Sequence, residues 1–63
     1  QTLDDLTETE RRVMNAIDTD GTTADTITVK TGLSVSEVMS TLTLLEIYGR
    51  VRSEAGGIFI PNI

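Results

Sequence analysis

The amino-acid sequence predicts a small, mainly α domain that ends in a β-hairpin. Two segments, "TETE" and "SVSE", have the spacing of capping boxes, which mark helix starts. The segment "KTGLS" places a glycine between two segments of helical periodicity, where a helix exit needs a positive φ. Near the end, "RVRSE" and "GIFIP" alternate around "AGG", which is typical of two short strands joined by a tight turn.

The first predicted helix covers about residues 8–18. Its start is the pair Thr7 and Glu10, whose side chains can each satisfy a backbone N–H at the helix end. Three apolar residues recur behind it at helical spacing and are predicted to face the core: Val13, Met14 and Ile17.

Two parts of unequal size make up the predicted domain organisation. Residues 1–6 are predicted to be a linker tail with Leu3 and Leu6 as apolar anchors, and residues 7–61 the folded domain. Because the first residue is Gln1 rather than Met, we expect the chain to be a piece of a longer protein.

The second predicted helix covers about residues 24–30 and begins after the capping residue Thr23. Ile27 is its inward position, and Gly32 follows it in the turn. A residue or two near Thr22 is predicted to add a third, minimal strand to the hairpin.

The third predicted helix begins at Ser34 and ends at Gly49. A helical wheel assigns one set of residues to the core: Val35, Val38, Met39, Leu42 and Leu45. A second set occupies a neighbouring face: Ser36, Ser40, Thr43 and Ile47. With Pro61 ending the last strand, three helices and a two-stranded wing form a winged helix-turn-helix.

The charge balance and residue types limit the possible functions. Five basic against ten acidic residues give a formal net charge of −5, which repels a polyanion such as DNA unless the cations share one face. Without cysteine or histidine the chain lacks the usual zinc ligands and catalytic nucleophile-base pairs. We therefore expect no metal, no cofactor and no enzymatic activity. No apolar run suggests a membrane span, and we expect a cytoplasmic protein.

Three quoted segments together resemble the C-terminal winged-helix domain of bacterial DNA-processing protein A (DprA, also called Smf). They are "LDDLTETERRVMNAI", "DTITVKTGLSVSEVMSTLTLLEIYGRVR" and "GGIFI", and they cover about residues 3–60. The resemblance implies an accessory module attached to an upstream Rossmann-like domain that binds single-stranded DNA. It also implies RecA-pathway proteins as partners during natural transformation.

The chain departs from the pattern of that family at four positions. The family usually has an acidic residue where this chain has Leu44, a polar residue at Tyr48, an apolar residue at Arg50 and a basic residue at Ile60. Two charged or polar positions of the third helix are therefore large and apolar here. The wing has also lost a basic residue, at Ile60, and these departures together favour protein contact over DNA binding.

Two functional hypotheses follow. The favoured one is a protein interface at Leu44, Ile47 and Tyr48, with a second copy of the chain or the upstream domain as partner, although Ile47 could instead pack under the hairpin against Phe59. The alternative is weak duplex binding, with hydroxyl groups toward the bases and cations toward the phosphates. Its candidates are Ser36, Ser40, Thr43, Lys30, Arg50 and Arg52.

Overall fold

The computed structural model describes residues 6–62, which form three helices and a small antiparallel sheet. The elements in chain order are α1 (Glu8–Asn15), β1 (Thr22–Thr23), α2 (Ala24–Thr31), α3 (Val35–Ile47), β2 (Val51–Glu54) and β3 (Ile58–Pro61). This arrangement confirms the predicted mainly α class and the winged helix-turn-helix.

Strand β3 lies in the middle of the sheet, in the order β1-β3-β2. Phe59 pairs with Thr22 on one side and with Ser53 on the other, so the minimal third strand predicted near Thr22 is confirmed. The hairpin turn between β2 and β3 holds Gly56 and Gly57 at positive φ, a conformation that side chains with a Cβ rarely adopt.

Capping residues set the helix starts as predicted. Thr7 and Glu10 form a complete capping box at α1, and Ser34 and Glu37 form another at α3. Between the last two helices, Gly32 adopts the left-handed conformation and donates its N–H to the carbonyl of Thr28.

Helix α1 ends at Asn15, three residues before the predicted end. The Ala16 N–H donates to the carbonyls of both Arg12 and Val13, and the Ile17 N–H donates to the carbonyl of Met14. The bonds to Val13 and Met14 span three residues rather than four. They tighten the last turn toward 3₁₀ geometry, and the α-helix ends there.

All three helices and the sheet contribute to one core. Its buried apolar residues are Leu6, Val13, Ala16, Ile17, Ile27, Val38, Leu42, Leu45, Val51 and Phe59. Leu6 thus packs on the domain, whereas Leu3 and the rest of residues 1–5 lie outside the described residues. The division into a linker tail and a domain stays a prediction.

The core-facing side of α3 differs from the predicted one. Val35 and Met39, predicted to be core residues, are 56% and 44% exposed. The buried residues of α3, called the inner arc below, are Val38, Thr41, Leu42 and Leu45. The helical wheel assigns only apolar residues to the core, so it leaves out the buried Thr41. It also includes Val35 and Met39, which lie at the edge of the buried side.

Candidate interaction surface of helix α3

Helix α3 carries a row of four exposed residues opposite its inner arc. Their spacings of four, three and four residues place them one above another on a single helix face. This row, called the outer stripe below, consists of Ser36, Ser40, Thr43 and Ile47. The outer stripe is therefore small and polar over most of its length, with one large apolar side chain at the C-terminal end.

Ile47 lies in solvent rather than beneath the hairpin. Its side chain is 72% exposed, whereas Phe59 on β3 is buried in the core. The alternative in which Ile47 packs against Phe59 under the wing is therefore wrong.

Large apolar residues border the outer stripe on both sides. Leu44 and Tyr48, which are 42% and 38% exposed, lie on one side because they are four residues apart. Val35 and Met39, with the same spacing, lie on the other. The sequence predicts the surface position of the first pair but not that of the second, because Val35 and Met39 are apolar and no local pattern reports that they are exposed.

No basic residue occurs in α3, and its two carboxylates lie beside the outer stripe rather than in it. Glu37 accepts hydrogen bonds at the helix start as part of the capping box with Ser34. Glu46 accepts a hydrogen bond from the Ser53 hydroxyl at 3.1 Å, which links α3 to the wing. The outer stripe itself is uncharged.

The cations predicted to hold phosphates lie on other elements and have contacts within the chain. The Lys30 ammonium lies 3.3 Å from a carboxylate oxygen of Asp18 and donates to the carbonyl of Ala16 at the end of α1. The Arg52 Nε lies 3.0 Å from a carboxylate oxygen of Glu54 on the same strand. These exposed ion pairs reduce the local positive charge that a phosphate would meet.

Arg50, the third predicted cation, is only partly accessible. Its side chain is half-buried, and its Nη2 atom is buried without a hydrogen-bond partner among residues 6–62. A guanidinium in this position reaches a backbone phosphate less readily than one on the tip of the wing.

Among the predicted hydroxyl donors, Thr43 already has an acceptor inside α3. Its hydroxyl donates to the carbonyl of Met39 at 2.9 Å, so the hydroxyl proton is engaged and only lone pairs face outward. Ser36 and Ser40 are exposed on the same stripe, as the DNA hypothesis requires.

A cleft of about 290 Å³ lies between α1 and α2 and is lined in part by two cations, Arg12 and Lys30. The Arg12 guanidinium donates to the carbonyl of Thr31 at 2.6 Å, and Lys30 donates to that of Ala16. Both cations therefore satisfy the carbonyl ends of helices, which is a stabilising role at the negative end of the helix dipole.

Neither a cluster of metal-ligating side chains nor a helix able to span a membrane occurs in the described part of the chain. Residues 6–62 contain no group of three acidic, cysteine or histidine side chains that could hold a metal ion. Within the same range, no helix is long and apolar enough to cross a bilayer.

Three helices, a glycine turn before α3 and a hairpin after it define a winged-helix domain. The family model described as the DprA winged helix domain matches residues 1–57, and the chain belongs to this family. It is thus an accessory domain of a DNA-processing protein. No curated protein and no solved structure matches the chain.

Proposed function

We propose that this winged-helix domain makes a protein contact through α3, around Leu44, Ile47 and Tyr48, and has no catalytic role. The observation that carries the proposal is that α3, the helix that a DNA-binding winged helix presents to the groove, exposes these large apolar side chains and carries no cation. A surface of this composition gains more from contact with protein than from contact with phosphates.

Burial of these side chains supplies the driving force. Apolar surface removed from water stabilises a complex by about 25 cal/mol per Å². Leu44 and Tyr48 lie next to each other on the helix, so a partner can cover both at once. Tyrosine is also one of the residues enriched at interface centres, and Tyr48 supplies one here.

The partner that we propose is either the upstream Rossmann-like domain of the parent protein, with this domain at its C-terminal side, or a second copy of the chain. Membership of the DprA winged helix family supports a role within a cytoplasmic DNA-processing complex. RecA-pathway proteins are a further candidate class of partner.

Duplex DNA binding is the second candidate function. The exposed hydroxyl groups of Ser36 and Ser40 favour it, and Arg52 on the wing could reach a phosphate after leaving Glu54. Three cations would neutralise at most three phosphates, so the logarithm of the affinity would fall against that of the salt concentration with a slope of about −2.7. Such binding is weak at cellular ionic strength.

Substitution of the apolar pair tests the proposal. Leu44→Glu and Tyr48→Lys should each weaken binding to the upstream domain, or self-association, by about thirtyfold, since the loss of an interface hot spot costs about 2 kcal/mol. Calorimetric titration and analytical sedimentation measure the two affinities.

The matched control is Val29→Glu, which places the same carboxylate at another exposed apolar position, on α2. It should leave both affinities within about twofold of the wild-type values, since surface charge acts weakly at a distance in salt. If Leu44→Glu and Tyr48→Lys behave like Val29→Glu in both assays, the protein-contact proposal is wrong.

A further inference from the structure

We propose that the outer edge of strand β2 pairs antiparallel with β2 of a second copy of this chain, so that the sheets of the two copies become continuous. This contact lies on the wing, outside the α3 surface of the proposed function, and does not depend on it. The strand order β1-β3-β2 of residues 6–62 places β2 at an edge of the sheet. Three of the four residues of β2 are exposed: Arg52, Ser53 and Glu54.

The ladder between β2 and β3 shows which backbone groups of β2 point outward. The Asn62 N–H donates to the carbonyl of Arg50 at 2.8 Å, and the register continues with Arg52 opposite Ile60. Hydrogen-bonded pairs alternate with non-hydrogen-bonded pairs in an antiparallel ladder, so Ser53 directs its N–H and C=O away from β3. Neither group has another backbone partner within residues 6–62. Ser53 therefore offers a donor and an acceptor to an added strand.

The charges on either side of Ser53 make this edge complementary to itself. A two-fold axis between two Ser53 residues lets each N–H donate to the Ser53 carbonyl of the other copy. The same axis places Arg52 of each copy directly opposite Glu54 of the other. Within one chain, the Arg52 Nε already lies 3.0 Å from a Glu54 carboxylate oxygen. The contact joins two such pairs into a cluster of four alternating charges, and opposite charges in opposed positions stabilise paired strands.

The edge of β2 also lacks the features that prevent sheets from joining. Proteins protect exposed edges with proline, lysine or a β-bulge. Strand β2 contains neither proline nor lysine, and its register with β3 is continuous. Its two charges have opposite signs, so they attract a second β2 in the antiparallel orientation and repel it in the parallel one. At the other edge of the sheet, β1 has two residues and offers fewer backbone groups.

The expected dimer is weak. The Ser53 hydroxyl donates to Glu46 at 3.1 Å, so the pairing brings the two Glu46 carboxylates toward each other on the α3 side of the sheet. Two chains of net charge −5 also repel each other. A pair of four-residue strands covers much less than the about 800 Å² per partner of a standard interface. We therefore expect association in the millimolar range rather than a permanent dimer.

Reversal of the two charges tests the proposal, with sedimentation from micromolar to millimolar concentration as the measurement. Arg52→Glu and Glu54→Arg should each weaken self-association by about tenfold, because each places like charges opposite each other at two symmetric positions. An equimolar mixture of the two variants should recover the wild-type affinity, since acidic positions of one copy then face basic positions of the other. An effect within one chain cannot produce this recovery. A mixture that associates no better than the separate variants would overturn the proposal.

Net charge provides a matched control. At moderate salt, Arg11→Glu on α1 changes the net charge as much as Arg52→Glu does and should alter the affinity less than about twofold. Glu54→Arg makes the chain less negative, so general repulsion alone predicts stronger association, whereas the proposed pairing predicts weaker association. Stronger association of Glu54→Arg than of the wild-type chain would contradict the pairing.

The register is tested without any substitution. In a mixture of carbon-13-labelled and unlabelled chains, filtered nuclear Overhauser spectra report only contacts between copies. The pairing predicts a contact from the Arg52 Hα to the Glu54 Hα of the other copy, because the two Cα atoms lie about 4.5 Å apart in such a pair. Contacts between copies at α3 alone would overturn this proposal and support the α3 contact. A chain that stays monomeric at every concentration would overturn it too, and Leu44→Glu would still test binding of α3 to the upstream domain.

Discussion

The inner arc and the outer stripe of α3 are two uncharged faces of one helix, of which one is buried and the other is exposed. Both repeat at three- and four-residue spacings, but the inner arc is built mainly from valine and leucine, the outer stripe mainly from serine and threonine. The inner arc is buried against the other helices and the sheet, and the outer stripe faces solvent. The comparison of the two faces shows that large, contiguous apolar side chains decide which face the domain buries. The absence of charge leaves the exposed face suitable for a partner.

The largest expected effect on this comparison comes from Leu42, which is fully buried in the inner arc. Leu42→Ala removes apolar contacts and leaves a cavity, so it should lower the free energy of unfolding by about 2–5 kcal/mol. That is a large part of the total stability expected for 63 residues, about 3–9 kcal/mol. Urea denaturation measures the loss.

Ile47→Ala on the outer stripe is the control for Leu42→Ala, since Ile47 is mostly in solvent. At a concentration where the chain is monomeric, its free energy of unfolding should stay within about 0.5 kcal/mol of the wild-type value. Similar losses for the two variants would contradict the assignment of the two faces.

A smaller effect is expected at the start of α3. The Ser34 hydroxyl accepts a hydrogen bond from the Glu37 N–H at 3.1 Å, and Ser34→Ala leaves that donor to water. The change should cost about 0.5–2 kcal/mol of unfolding free energy. Ser36→Ala, two residues later and without a capping role, should be close to neutral, and thermal unfolding of both variants checks the difference.

Apart from the control variants, the smallest stability effect is expected at Met39, between the two faces. A core position would lose about 2–5 kcal/mol on truncation. Met39 is 44% exposed, so Met39→Ala should lose less than about 1 kcal/mol in the monomer. A loss as large as that of Leu42→Ala would show that Met39 is a core residue, as the helical wheel predicts, and that it does not belong to the exposed face of α3.

Local signals account for the parts of the fold that sequence predicts well. The capping boxes at Thr7 and Ser34 and the left-handed Gly32 depend on residues within one turn, so the sequence is enough to locate them. The end of α1 at Asn15 was missed because no proline or glycine marks it. The exposure of Val35 was missed because burial depends on which elements pack over a helix, which no local pattern reports.

The candidate site divides in the same way. The surface position of Leu44 followed from the wheel, because it lies away from the buried side under either placement of the core. Tyr48 is in line with the buried Thr41 and is nevertheless 38% exposed, at the C-cap of α3. The contacts of Lys30 with Asp18 and of Arg52 with Glu54 did not follow, since ion pairs depend on side-chain placement in three dimensions. Both contacts reduce the positive charge that a DNA backbone would meet.

The central claim is that the exposed face of α3 contacts protein rather than DNA, and an amide chemical-shift titration tests it most directly. Duplex and single-stranded DNA are added separately to the labelled chain at low and at moderate salt. The claim predicts no concentrated shifts in α3 with either DNA, whereas adding the upstream domain, or raising the protein concentration if the partner is a second copy, shifts amides around Leu44, Ile47 and Tyr48. Shifts on duplex addition that are concentrated at Ser36, Ser40 and Arg52 and that shrink as salt rises would contradict it.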